Sequence, residues 1–133
     1  MSIELVVVTP EGEAFSGPVD SVVLPGVEGE FGVLEAHERF LSALDHGCME
    51  IRSGEASQFQ AVSDGFAEVG PERVVVMVDS AIPAGQIDVA AAESARDEAS
   101  AALEQTDDDD PKKAELENAL ARAEAQLATA AKA

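Results

Sequence analysis

The sequence predicts an α+β protein by segments, with an all-β sandwich over residues 1–86 followed by an antiparallel α-helical hairpin over residues 87–133. Two observations carry this division. Val, Gly and Pro are frequent and apolar residues alternate in the first part, whereas beyond Gln86 16 of 47 residues are Ala, Gly is absent and Pro111 is the only proline. Short apolar segments also recur up to Val78 with turn residues between them at nearly regular spacing, the pattern of a sandwich or barrel.

In chain order, Ile3 to Val8 reads as a strand and TPEG at Thr9 to Gly12 as a turn, in which Pro10 fixes φ and Gly12 relieves it. Val19 to Leu24 is a second strand, ended by Pro25 and Gly26. The stretch EGEFGVLEAHERFL, Glu28 to Leu41, places Glu30 and Phe31 between two glycines, Gly29 and Gly32, so an acid and a ring sit on a tight segment where positive φ is accessible. Two readings stand side by side here: a plain sandwich turn with one buried ring, or an outward contact surface. Short strands follow near Phe31 to Leu34 and at Phe40 to Leu44, then a turn at Asp45, His46 and Gly47. Met49 and Ile51 alternate with Glu50 and Arg52, Ser53 to Glu55 forms a hairpin turn, and Phe59, Ala61 and Ser63 share a face of the returning strand. Phe66 to Val69 and Val74 to Val78, separated by a turn at Gly70 to Glu72, complete the series. With no Trp or Tyr in the chain, Val, Leu, Ile and Phe must fill the core.

Asp88 is placed to cap a helix from Val89 to about Leu103, its carboxylate accepting free N–H groups of the first turn. Asp110 followed by Pro111 signals a second helix running to about Lys132. Leu116, Leu120, Ala123, Leu127 and Ala130 form one apolar stripe, and Ala92, Ala95, Ala99 and Ala102 a matching stripe of small residues, so the helices can approach closely as antiparallel neighbours. From Ile87 onward there are only six large aliphatic residues. Each ordered residue costs ~1–2 kcal/mol of backbone entropy, so the hairpin is expected to lean on the sandwich or on a partner and to be able to change position.

The formal net charge of −19 argues against nucleic acid and against anionic membrane surfaces, leaving proteins as the expected partners. Cys48 is the only cysteine, which points to a reducing, cytoplasmic setting. The opening MSIELVVVTPEG lacks a basic n-region and no apolar run approaches a membrane span, so a soluble chain is expected, touching membranes only through protein partners.

Candidate chemistry is sparse. His37 and His46 have acids nearby (Glu35 and Glu38; Asp45) but no metal-ligand spacing, and read as ordinary surface histidines in loops. Cys48 lacks a basic neighbour and reads as an inert thiol. Asp107 to Asp110 lacks the spaced ligands and glycine of a calcium loop and reads as a solvated linker. The glycines of GVEGEFG carry acids that would repel phosphate. Neither a metal site nor a catalytic constellation is predicted, and no resident cofactor.

The order of features resembles a family, the epsilon subunits of bacterial F-type ATP synthases, equivalent to the delta subunit in mitochondria. The resemblance rests on TPEGEAFSGPVDSVVLPGVEGEFGVLEAHERFLSAL at Thr9 to Leu44, SDGFAEV at Ser63 to Val69, VVVMVDSA at Val74 to Ala81 and the Ala-rich hairpin. It implies a sandwich of about ten strands at the foot of the rotating central stalk, peripheral on the cytoplasmic face of the bacterial inner membrane, performing no chemistry but coupling proton flow to ATP synthesis. It further implies a c-ring contact through the loop carrying Glu28, Glu30, Phe31 and Val33, and a gamma-subunit contact near Thr9, His37 and Ser42.

In this family the hairpin can extend and inhibit ATP hydrolysis by meeting acids on the alpha and beta subunits of the catalytic head. Here helix two offers Lys112, Lys113, Arg122 and Lys132 against Glu115, Glu117 and Glu124, so weak inhibition is expected. Many relatives carry an I/L-D-x-x-R-A motif that binds ATP. This chain has IDVAAA, with Ile87 and Asp88 in place and Ala91 where the arginine would be, so ATP binding is expected to be weak or absent. The rival reading from composition and pattern alone is a free-standing β-sandwich protein-binding module with a helical oligomerisation tail; a small hydrolase built on His37 lacks a matched nucleophile.

Overall fold

In the computed structural model, residues 2–33 and 39–133 are described. The described residues form ten hydrogen-bonded strands, nine of them on one continuous path: β1 (Ile3–Thr9), β2 (Gly12–Val19), β3 (Ser21–Gly26), β4 (Gly29–Val33), β5 (Phe40–Leu44), β6 (Gly47–Ser53), β7 (Ala56–Val62), β8 (Gly65–Val69), β9 (Arg73–Val78) and β10 (Ala81–Pro83). Their order is β10-β7-β6-β3-β5-β8-β9-β1-β2, with β4 also paired to β3. The path folds at β3–β5, which share the single pair Gly26 and Leu44. On one side of that seam lie β10, β7, β6, β3 and β4; on the other lie β5, β8, β9, β1 and β2. Most pairs are antiparallel, while β1 and β9 run parallel.

Alternation explains what lies between the sheets. Leu5 and Val7 of β1, Val74 and Val76 of β9, Ala67 and Val69 of β8 point inward from one sheet; Val22 and Leu24 of β3, Val33 of β4, Met49 and Ile51 of β6 and Val62 of β7 meet them from the other. Phe15, Phe31 and Phe40 pack on the rim of this cluster. The centre of the core is aliphatic apart from Met49, with phenylalanines only at its edge.

Two strands lie outside the strands that pattern predicts. β2 is an outermost strand with mainly exposed side chains and Pro18 near its end, a residue tolerated there because an edge needs no inward donor. β10, at the opposite edge, has three residues and no fully buried one. Neither offers a buried alternating run. β3 starts at Ser21 rather than Val19 and continues through Pro25 to Gly26.

A 3-10 turn at Ala84–Gln86 leads to α1 (Val89–Glu104) and α2 (Lys113–Ala130). Asp88 caps α1 as expected, its carboxylate accepting from Ala91 N–H at 3.0 Å. The second start is displaced: Asp110 Oδ1 accepts from Lys112 N–H at 2.9 Å and its carbonyl from Lys113 N–H at 3.1 Å, so one tight leading turn precedes the α-helix proper at Lys113. The helices pack through small residues, with Ala92, Ala99 and Ala123 buried; Ala95 stays exposed. α2 lies on β6 and β7, and α1 packs on α2.

Candidate functional site

Three surfaces carry the residues singled out by the sequence. The first is the β3–β4 hairpin. Register pairs Leu24 with Phe31, Pro25 with Glu30 and Gly26 with Gly29, so the tip is the two-residue turn Val27–Glu28, closed by Gly29 at φ 128°. Glu30 and Phe31 stand on β4 rather than at the tip. Glu28 and Glu30 are exposed. Phe31 turns toward the core and meets Phe40 edge-on, centroids 5.6 Å apart. Val33 is fully buried, so its side chain offers no surface to a partner. Val27, 59% exposed, was not singled out by pattern and supplies the tip's apolar contact area. Backbone bonds fasten the base of this hairpin: Val27 N–H to Ala43 O at 3.1 Å, and Asp45 N–H to Pro25 O at 2.9 Å.

The second surface is the outer face of β5, β8, β9 and β1. Register places Ala43 beside Phe66, Phe66 beside Met77 and Met77 beside Val8. Leu41, Phe66 and Met77 are 65%, 52% and 41% exposed, an uncovered apolar band of the kind that marks an interaction site. No sequence period distinguishes it, because strands β8 and β9 read as plain alternation. Thr9 closes one end: its hydroxyl donates to Gly12 O and accepts from Glu11 N–H, both at 3.3 Å, and it borders a concavity shared with Phe66 and Met77. Ser42 lies on β5 beside Leu41 but is half-buried, its hydroxyl donating to Ala43 O at 3.3 Å. His37 lies outside the described residues.

The third is an open groove of about 690 Å³ between the helices and the end of the sandwich. Ile87, Asp88 and Ala91 line it together with Asn118 and Arg122. The Asp88 carboxylate is occupied in capping α1, and Ala91 brings only a methyl group. Arg122 and Glu115 are the other charged lining groups.

Ion pairs outside these surfaces are local. Arg52 bonds Glu50 through Nε at 2.8 Å; that bond, with Ser57 and Lys132 nearby, holds the Glu50 carboxyl below its usual range. Lys113 donates to Asp108 at 2.8 Å, lowering the Asp108 carboxyl and raising its own ammonium. Cys48 is half-buried. Among the described residues no cluster of three or more His, Cys, Asp or Glu is arranged to hold a metal ion, and no helix is long and apolar enough to cross a membrane. One expectation needs correction: His46 is no surface histidine, since its side chain is only 1% exposed.

Comparison with known proteins covers nearly the whole chain. Residues 2–84 match the family model of the ATP synthase delta/epsilon chain beta-sandwich domain, and residues 86–131 that of its long alpha-helix domain. An ATP synthase epsilon chain from Syntrophobacter fumaroxidans is 45% identical over 80% of this chain and 79% of that protein. One from Magnetococcus marinus is 40% identical over 96% of this chain and 93% of its own length. Among solved structures, a chain of the Euglena gracilis mitochondrial ATP synthase, in an assembly of OSCP, F1 and c-ring, superposes with a TM-score of 0.84 at 27% identity, covering 99% of this chain and 82% of that one. A chain of the Tetrahymena thermophila ATP synthase central stalk and c-ring shares the fold at TM-score 0.55 and 16% identity, over 66% of this chain and 71% of that one.

Proposed function

The chain belongs to the ATP synthase delta/epsilon family, and from that premise we propose how its surfaces serve the stalk. The protein is a non-catalytic epsilon-type subunit of the central stalk of an F-type ATP synthase, a membrane-associated complex. It couples by contact, and the finer assignments below are our reading of which contacts those are.

The gamma subunit docks on the uncovered band of Leu41, Phe66 and Met77, with Thr9 at its margin and Ser42 behind Leu41. The exposed apolar area carries this assignment, because a rotor joint under load needs a desolvated core, which side-chain alternation alone leaves on this face. The c-ring meets the β3–β4 tip through Val27, Glu28 and Glu30, an acidic rim around one apolar contact suited to polar or basic loops. Phe31 acts behind them by bracing the tip against Phe40. The complex sits at the cytoplasmic face of the bacterial inner membrane.

Two further expectations concern the hairpin. ATP binds weakly or not at all, because the groove at Ile87 and Asp88 offers one guanidinium, Arg122, and two carboxylates to a polyanion. Inhibition of hydrolysis through contacts with the alpha and beta subunits is weak: of the four α2-side cations, Lys113 is engaged with Asp108 and Lys132 lies over the Phe59 ring at 5.4 Å.

Replacing Glu28 and Glu30 by Lys in the assembled enzyme tests the ring contact. Proton-driven synthesis should fall several-fold while the subunit stays bound; unchanged synthesis removes the loop's role. Titration calorimetry with ATP should give no micromolar affinity. A free-standing module is disfavoured because the hairpin packs on its own sandwich instead of presenting a face for self-association.

A further inference from the structure

The open face of the sandwich is graded in charge along its strands. At the end that carries the β3–β4 tip, the turns 10–11, 27–28, 45–46, 63–64 and 79–80 each hold one acid, Glu11, Glu28, Asp45, Asp64 and Asp79, and no lysine or arginine. Residues 1–86 contain no lysine and only three arginines, all toward the opposite end: Arg39 before β5, Arg52 late in β6 and Arg73 opening β9. Arg52 is taken by Glu50. Arg39 and Arg73 are exposed, and neither is ion-paired among the described residues.

Both unpaired guanidiniums belong to the open face. Phe40 pairs with Val69 and Val69 with Val74, and Gly70 N–H donates to Arg73 O at 2.8 Å. Two residues on from the outward row of Leu41, Glu68 and Val75 there is thus a row of Arg39, Gly70 and Arg73, two cations on either side of a residue with no side chain. They line one concavity with Leu41 and Val75. Glu68 and Glu72 line it too, and Glu4 lies beside Arg73 on β1. Acids are therefore present along the whole face, whereas cations stand only at this end. At the other end Asp64 and Asp79 border the concavity of Thr9, Phe66 and Met77. From Arg73 to Asp79, six residues of extended chain span ~20 Å.

A partner segment laid along this band meets unequal ends. Its basic groups find carboxylates anywhere, but its acids find a counter-charge only at Arg39 and Arg73, whose guanidinium forks can engage a carboxylate. One direction of docking is then favourable and the reverse repulsive. We infer that the open face reads polarity: it takes one segment of the stalk partner that is acidic over Arg39 and Arg73, apolar over Phe66 and Met77, and basic over Asp64 and Asp79. This polarity rests on the reading of the face as the gamma-subunit dock and adds a direction to it.

The test uses the full chain and the gamma subunit of the same enzyme, with affinity measured at low and high salt. Arg73 and Asp79 are exposed, and the bond that the Asp79 backbone N–H donates to Ser63 Oγ does not need its carboxylate, so both positions tolerate charge reversal. At about 0.05 M salt, Arg73→Glu and Asp79→Lys should each weaken binding about five-fold, and the two together about 25-fold, because the sites are too far apart to couple. The double variant keeps the net charge of the chain, so its loss reports direction and not total charge. At about 0.5 M salt the losses should shrink to less than about two-fold. A double variant that binds like the parent chain, a tightening by Asp79→Lys, or losses that persist at high salt overturns the polarity. Phe66→Asp with Met77→Asp separates the two readings. If it abolishes binding while the charge reversals change nothing, the dock stands and its direction falls; if neither set changes the affinity, the dock falls with it.

Discussion

The two outer faces of the sandwich are built by the same alternation and end up with opposite fates. On β6 and β7 the outward positions Cys48, Glu50, Phe59 and Ala61 lie where α2 packs, and Ala61 is buried there. On β5, β8 and β9 the corresponding positions Leu41, Phe66 and Met77 are exposed. Apart from the Phe59 ring, the covered face uses small and polar residues under a helix that is itself rich in alanine, a contact with limited apolar area and thus easily parted. The open face carries larger apolar groups that no helix among the described residues covers. One face is suited to a removable partner from the same chain, the other to a lasting partner from outside.

The sharpest way to break this comparison is to take the hairpin off. A peptide of residues 87–133 should lose most of its helical circular dichroism, because two helices this short in large aliphatic residues are marginal without tertiary support; a peptide that stays helical and melts cooperatively would mean that the covered face contributes nothing. Next, Phe66→Asp with Met77→Asp should reduce co-purification of the stalk partner at least tenfold, about 1.4 kcal/mol or more, with the melting temperature nearly unchanged. Equal retention of the partner would reassign the open face.

Smaller changes grade the covered face. Lys132→Ala removes the cation over Phe59 and should weaken docking by ~0.5–1 kcal/mol, seen as faster hydrogen exchange in α2. Weakest of all is Glu50, whose carboxyl is held low chiefly by its bond with Arg52. A lowered folded value means the stabilisation is full above the ordinary carboxylate range and is lost as pH falls through the lowered value. Glu50→Gln should therefore flatten the acid limb of the stability profile slightly and leave neutral pH nearly untouched, by denaturant midpoints.

The interior strands and the Asp88 cap were legible because each writes its cause locally: a two-residue period, an acid before a helical run. The edge strands β2 and β10 were not, since an edge buries little and its pairing partner lies far away in sequence. At the candidate surfaces the sequence located the tip but not its orientation. Glycines on both sides of Glu30 and Phe31 mark a tight turn, yet only the pairing of Gly26 with Gly29 shows that Val27 and Glu28 form its tip and that Phe31 turns inward. The open apolar band was invisible for the opposite reason: its residues obey the same alternation as the covered ones. His46 was read as solvent-exposed because Asn118, which helps bury it, lies 72 residues away.

The tip at Val27 and Glu28 is also a matter of mechanics. Its base includes Gly26, the residue through which the two sheets meet at Leu44, and it is bonded to β5 and to the next turn by Val27 N–H and Asp45 N–H. A side chain at Gly26 would collide with Gly29 O at 2.7 Å and with the Phe31 ring at 2.9 Å, so the clamp closes only around glycine. The tip is thus a cantilever fixed at the joint of both sheets, not a tether. A sideways load on Glu28 is delivered to both halves of the sandwich at once, with little slack to be taken up before the body turns.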